Sequence, residues 1–213
     1  MKSDYSLYLV TDRMLMSTKT LGEAVEQAVI GGCTMVQLRE KEILSLDFYV
    51  LASEMKKITD RYGIPLIIND RIDIAMAVGA AGVHIGQKDI PADIARKLIS
   101  KDMLLGVSTA SVAEAVNAAK AGADYLGVGA MFSTGTKTDA SHVSMEELGG
   151  IRRTVDIPIV VIGGISKENA MLFQPMGIDG LAVVSAVIAQ PDIRKSAADL
   201  KSLFLGKEDV NEL

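Results

Sequence analysis

Two aspartates, each set just behind a short apolar run, carry the most specific chemistry in this chain. Asp70 follows residues 66–68 in Asn69-Asp70-Arg71, and Asp89 follows residues 83–85 in Gly86-Gln87-Lys88-Asp89. If those runs are neighbouring strands, about 4.8 Å apart, both carboxylates come within reach of one hard cation. Two carboxylates with positions left open for water and phosphate oxygens is the usual way of holding Mg2+. Taken singly, each aspartate fits better as a cap on the helix that follows it.

Cations stand nearby in the chain's logic. In Gln37-Leu38-Arg39-Glu40-Lys41 the period of two puts Gln37, Arg39 and Lys41 on one face, so two positive charges and an amide converge at a strand end; a solvated charge run is the equal alternative. Ser108 ends another run and either faces the same place or bonds backbone. The stretch Phe132-Ser133-Thr134-Gly135-Thr136-Lys137-Thr138-Asp139 is too polar and too small to pack as core. It is expected to be a mobile lid whose hydroxyls and lysine fold over an anion, with a plain connector as the alternative. Gly163-Gly164 and Val184-Ser185 end the last two runs, where glycine lets main-chain N–H groups approach a phosphate. His84, between Val83 and Ile85, turns inward by parity and serves equally well as a ligand contact or a satisfied core histidine. Cys33 and His142 have no neighbouring partner for nucleophilic chemistry and read as structural or loop residues.

What must position these residues is a set of eight short, β-branched, nearly all-apolar runs at 7–10, 35–38, 66–68, 83–85, 104–107, 125–128, 159–162 and 181–184. Their lack of polar alternation suits strands covered on both faces of a parallel sheet. Between them apolar residues recur at spacings of three and four, as in Leu21, Val25, Ala28 and Val29, which is the helical pattern. Pro91 and Pro191 are expected to open helices and Ser111 to cap one, while Gly31-Gly32, Gly63, Gly82, Gly122 and Gly177 are expected to stop them. About 27 residues per strand-helix unit is close to the minimum for a parallel crossover. Closing the eight strands gives an α/β fold, a single-domain (β/α)8 TIM barrel over residues 1–205, followed by a charged tail at 206–213. An open doubly wound sheet is the competitor, but it usually carries a glycine-rich turn after its first strand, and here that strand ends Val10-Thr11-Asp12-Arg13.

Composition agrees. At 213 residues the chain is one large domain, and 49% hydrophobic with 23% charged residues lies in the globular range. A single cysteine excludes a disulfide framework and a cysteine-built zinc site. A net charge of −5, an unclustered surplus of carboxylates, argues against nucleic acid and anionic membrane as partners and leaves local basic sites open. No uncharged stretch approaches the roughly 20 residues of a spanning helix, and Met1-Lys2-Ser3-Asp4 lacks the blocks of a secretory signal, so a cytoplasmic protein acting on small molecules is expected. No motif fixes an oligomeric state, and a homodimer stays open.

Taken together, Tyr8-Leu9-Val10-Thr11-Asp12, Gln37-Leu38-Arg39-Glu40-Lys41, Asn69-Asp70-Arg71, Val83-His84-Ile85-Gly86-Gln87-Lys88-Asp89, Gly106-Val107-Ser108-Thr109, Thr134-Gly135-Thr136-Lys137 and Ile162-Gly163-Gly164-Ile165 closely resemble the thiamin-phosphate synthase family. The likeness runs from about residue 5 to residue 204. It implies a TIM-barrel transferase that joins hydroxymethylpyrimidine diphosphate to a thiazole phosphate, giving thiamin phosphate and pyrophosphate with Mg2+ assistance. It also implies that Gln37, Arg39, Lys41, Asn69, Ser108 and Lys137 bind the pyrimidine diphosphate, that Asp70 and Asp89 bind the metal, and that Thr134, Thr136, Gly164, Val184 and Ser185 hold the thiazole phosphate. Arg39, Lys41, Ser108 and Lys137 are the residues expected to act on the reacting groups. The lid departs from the proline- and threonine-rich form of many members, with Ser133 and Gly135 instead. A thiazole tautomerase of related fold would need a phosphate site and an acid-base residue but no metal-diphosphate cluster, and a non-catalytic phosphate-binding barrel would need neither the metal pair nor the polar lid.

Overall fold

The computed structural model describes residues 3–133 and 142–206. Eight parallel strands close in chain order: β1 Leu7–Val10, β2 Met35–Leu38, β3 Leu66–Asn69, β4 Gly82–Ile85, β5 Leu104–Thr109, β6 Tyr125–Val128, β7 Ile159–Val161 and β8 Gly180–Val183. Closure is made by β8 against β1, with Leu7 opposite Leu181 and Leu9 opposite Val183. The expected (β/α)8 barrel is therefore the observed fold.

Alternation exists within the apolar runs, but between two kinds of core. Leu7, Leu9, Val36, Leu38, Leu66 and Ile68 face outward into the layer between strands and helices. Tyr8, Val10, Met35, Ile67, Tyr125, Val160 and Ala182 face inward and fill the barrel. Both faces are dry, so a polarity count sees no period of two even though the pleat imposes one.

The outer helices are α1 Leu21–Ile30, α2 Ser45–Arg61, α3 Ile72–Val78, α4 Ala92–Leu98, α5 Val112–Lys120, α6 Met145–Thr154, α7 Ser185–Ile188 and α8 Ile193–Leu205. Thr20 and Glu23 form a reciprocal capping box on α1, while Ser111, Ser144 and Asp192 cap α5, α6 and α8 through their side-chain oxygens. Two expectations are corrected. Pro191 does not open α8, because Asp192 follows it and supplies the cap by accepting from the Lys195 N–H. Gly82 is the first residue of β4, and α3 is stopped by Gly79 in the left-handed conformation, φ 64°. The seventh connection is a 3-10 helix, Ala170–Met176, where Pro175 cannot donate to a regular α-helical ladder.

The N-terminal face of the barrel is tied by one device used twice. Asp124, just before β6, accepts from the Leu105 N–H at 2.7 Å and pairs with Arg96 at 3.0 Å; Asp179, just before β8, accepts from the Ile159 N–H at 2.8 Å and pairs with Arg152 at 3.3 Å. Each arginine also donates to a main-chain carbonyl beyond the end of its own helix, that of Met103 or Val155.

Candidate active site

At the opposite end, the C-terminal ends of the strands surround one cavity. Strand parity turns Gln37, Asn69, His84 and Ser108 into it from β2, β3, β4 and β5, and Arg39 enters from just beyond β2. Gly163, Gly164, Val184 and Ser185 line the other side, after β7 and β8. The structure thus brings together most of the residues expected from sequence. Thr134, Thr136 and Lys137 lie outside the described residues.

The cavity floor is a file of hydrogen bonds. The Gln37 amide nitrogen donates to the Tyr8 hydroxyl at 2.8 Å, the Tyr8 and Tyr125 hydroxyls are 2.8 Å apart, Tyr125 meets His84 Nδ1 at 3.1 Å, and His84 Nε2 meets Ser108 Oγ at 2.9 Å. Burial pushes both phenols well above the ordinary tyrosine range, so they stay neutral hydroxyls. Glycines make the room. A Cβ on Gly106 would stand 2.2 Å from Tyr125 Cζ and 2.5 Å from His84 Nδ1, and one on Gly127 would stand 2.9 Å from His84 Cε1. His84 is hydrogen-bonded in the interior and also lines the cavity.

Beside this floor Asn69, 7% exposed, keeps its side-chain nitrogen buried with no hydrogen-bond partner among the described residues. An orphaned donor that lines a cavity costs about 1–3 kcal/mol unless a ligand acceptor satisfies it. Arg39 lines the same cavity, and among the described residues it forms no ion pair.

The rim carries the two aspartates. Asp70 sits in the left-handed region at φ 62°, a conformation aspartate tolerates better than most residues, and its N–H donates to the His84 carbonyl at 2.8 Å. Its carboxylate is ion-paired to Lys41. Asp89 accepts from the Gly86 N–H at 2.7 Å, which curls the loop after β4 back on itself. Burial first, and then a hydrogen bond and repulsion from Asp70, push the Asp89 carboxyl above its ordinary range, against the lowering effects of Gly86 and Lys41. An aspartate whose carboxyl is pushed up beside a second aspartate fits a hard divalent cation, which would neutralise both. Among the described residues no group of three or more His, Cys, Asp and Glu that could hold a metal ion converges.

On the far side Gly163 and Gly164 have φ of 97° and 64°, and a Cβ on either would lie 2.5 Å from Ala130 Cβ or 2.7 Å from Phe132 Cβ. Only glycine gives the chain this turn and this closeness. The Asn169 side chain donates to the Gly164 carbonyl at 2.9 Å and fixes the turn from behind.

Sequence reasoning did not single out Tyr8, Tyr125 or Gln87. Gln87 donates to the Ser108 carbonyl at 2.7 Å. The tyrosines' signal was present: each is the lone hydroxyl-bearing residue of its apolar run, at inward parity.

Residues 7–187 match the family model described as thiamine monophosphate synthase. The chain belongs to that family. Among its relatives, the thiamine-phosphate synthase of Clostridium beijerinckii is 65% identical over 204 residues, covering 96% of this chain and 98% of the relative. That of Ruminiclostridium cellulolyticum is 62% identical over 206 residues, covering 97% and 98%. The solved structure of thiamine phosphate pyrophosphorylase from Pyrococcus furiosus superposes with a TM-score of 0.88 at 37% identity, covering 96% of this chain and 97% of that one. A 3-hexulose-6-phosphate synthase superposes with a TM-score of 0.68 at 16% identity, a likeness of fold alone. Membership of the thiamine monophosphate synthase family extends across the barrel, and the family is consistent with a metal-assisted enzyme. No helix among the described residues is long and apolar enough to cross a membrane.

Proposed function

We propose that this chain is a cytoplasmic transferase that condenses 4-amino-2-methyl-5-hydroxymethylpyrimidine diphosphate with a thiazole phosphate, forming thiamine phosphate and releasing pyrophosphate. Family membership over the length of the barrel supports the overall reaction. What supports the site assignment is the placing of Asp70 and Asp89 at the rim, where burial and Asp70 push the Asp89 carboxyl up, beside a cavity that offers Arg39 and the orphaned Asn69 amide.

The chemical task is to make a diphosphate leave carbon, which means stabilising negative charge on the departing oxygens. Asp70 and Asp89 would hold Mg2+, which when bound supplies charge neutralisation to the diphosphate. With that divalent charge, Arg39, Lys41 and Lys137 against the two aspartates leave about +3, which balances the roughly −3 of a fully ionised organic diphosphate. Arg39 and Asn69 hold diphosphate oxygens, and Ser108 donates to them from the opposite wall. Gln37 orients the flat pyrimidine by its amino edge. The aminopyrimidine delocalises the methylene cation left behind, so carbon-oxygen cleavage runs ahead of bond formation. The thiazole nitrogen, which already carries a lone pair, captures the carbon with no general base. Gly164, Val184 and Ser185, with Thr134 and Thr136, hold the thiazole phosphate and set that nitrogen's approach.

Pyrophosphate release by the purified protein, measured with each substrate and Mg2+ omitted in turn, tests this reading. Release should require all three components. Release at full rate without thiazole phosphate would make the protein a diphosphatase, and no release with everything present would refute the activity.

A further inference from the structure

The file of hydrogen bonds under the cavity has a property that its individual contacts do not. An amide nitrogen can only donate, and a hydroxyl has one proton to give. Either hydroxyl of the Tyr8–Tyr125 pair can donate; with Gln37 Nε2 donating to Tyr8, as it does here, the direction that gives every proton of the file an acceptor sends the Tyr8 proton to Tyr125. The Tyr125 proton then goes to His84 Nδ1, which must be the bare nitrogen of a neutral ring, and the Nε2–H donates to Ser108 Oγ. Ser108 has been used as an acceptor, so its own proton is left for whatever occupies the cavity it lines. Reversing the Gln37 amide reverses every link. Tyr8 then donates to Gln37, the histidine proton moves to Nδ1, Ser108 gives its proton to Nε2, and only lone pairs face the ligand.

The proposed function gives this two-way file a use. An aminopyrimidine presents N–H donors, which bind the Gln37 oxygen and leave its nitrogen on Tyr8. We infer that Tyr8, Tyr125 and His84 are positioning residues that carry the orientation of the Gln37 amide across the barrel and so fix Ser108 as a hydrogen-bond donor to the departing diphosphate. Recognition of the pyrimidine's amino group at one wall thereby readies the opposite wall for the leaving group. The interior is built around this path: Gly106 and Gly127 vacate the space that Tyr125 and His84 occupy, and a side chain at either position would close it. The inference rests on the proposed reaction and adds to it a route by which substrate identity reaches the rate.

The test is a double-mutant cycle on steady-state pyrophosphate release, using Ser108→Ala, Tyr125→Phe and the double variant, with Tyr8→Phe as a second break in the file. Loss of one hydrogen bond to developing charge is worth about tenfold in rate. Tyr125→Phe and Tyr8→Phe should each lower kcat by about tenfold with little change in KM for the pyrimidine diphosphate, and the double variant should be no slower than Ser108→Ala. Losses that multiply in the double variant, or full kcat in both Phe variants while Ser108→Ala is impaired, overturn the relay. A parent protein that releases no pyrophosphate instead strikes the proposed function. A second measurement stands apart from activity and from the folding of any Tyr variant. The chain has 2 histidines, so 15N shifts assigned with a His142→Gln control read the His84 tautomer directly. With pyrimidine diphosphate and Mg2+ bound, the Nε2–H form is expected, and a predominant Nδ1–H form or an imidazolium overturns the inference.

Discussion

Tyr125 occupies the volume that any side chain at position 106 would need: its Cζ lies 2.2 Å from where a Gly106 Cβ would be. The two positions sit on adjacent strands, Gly106 opposite Tyr125 in register, so neither can move without opening the ladder. Gly106→Ala should therefore destabilise the barrel by about 3 kcal/mol in denaturant unfolding, the upper end of what overpacking a closed interior costs. Gly149→Ala is the control. It sits inside α6, its Cβ would meet only the tip of Arg153 at 3.3 Å, and it should stabilise by about 0.5 kcal/mol.

Asp70→Asn combined with Asp89→Asn should abolish pyrophosphate release at ordinary Mg2+ concentrations. Isothermal titration should show the loss of divalent-cation binding directly. Because the two carboxylates repel each other in the free protein, Asp89→Asn alone should leave the fold as stable as the parent or more so. Near-normal turnover in the double variant would remove both residues from metal binding.

Asn69 separates a binding role from a structural one. Its buried donor has no partner, so Asn69→Ala should cost little stability while weakening pyrimidine diphosphate binding about tenfold. Asn69→Asp, which turns the donor into an anion facing an anion, should weaken it further still. Equal affinities for the two variants, measured by competition against turnover, would show that Asn69 does not face the diphosphate.

Cys33 sets an alkaline limit. Burial pushes its thiol up to about 12 from an unfolded value near 9, against a small lowering by Lys201. The folded state therefore holds its proton more tightly than the unfolded state. Its contribution is intact below pH 9 and falls as pH rises from 9 to 12, by about 1.4 kcal/mol per pH unit. Native protein at pH 8 should not react with a thiol reagent until it unfolds, and urea midpoints should decline across that alkaline window. Rapid labelling of the folded protein at pH 8 would contradict the burial.

The barrel was legible because strand length, apolar covering and spacing all pointed to parallel units, and the rim residues were legible because charge collects where apolar runs stop. The floor was not. Gln37, Asn69, His84 and Ser108 were visible as polar letters near strand ends, but the connection among Gln37, His84 and Ser108 runs through Tyr8 and Tyr125, which hide among leucines and valines because both faces of these strands are dry. Helix boundaries failed for a similar reason at Gly82 and Pro191. Glycine and proline there serve a tight strand contact, 2.4 Å from a Gly82 Cβ to the Leu104 carbonyl, and the approach to a cap. A residue's turn propensity does not say which side of a boundary it will take.

The paired clamps Asp124–Arg96 and Asp179–Arg152 anchor the end of the barrel away from the cavity. With that base secured by main-chain N–H groups and guanidinium donors, the loops at the mouth are relieved of keeping the strands in register. They can change length, composition and ligand from one descendant to another while the staves beneath them stay put.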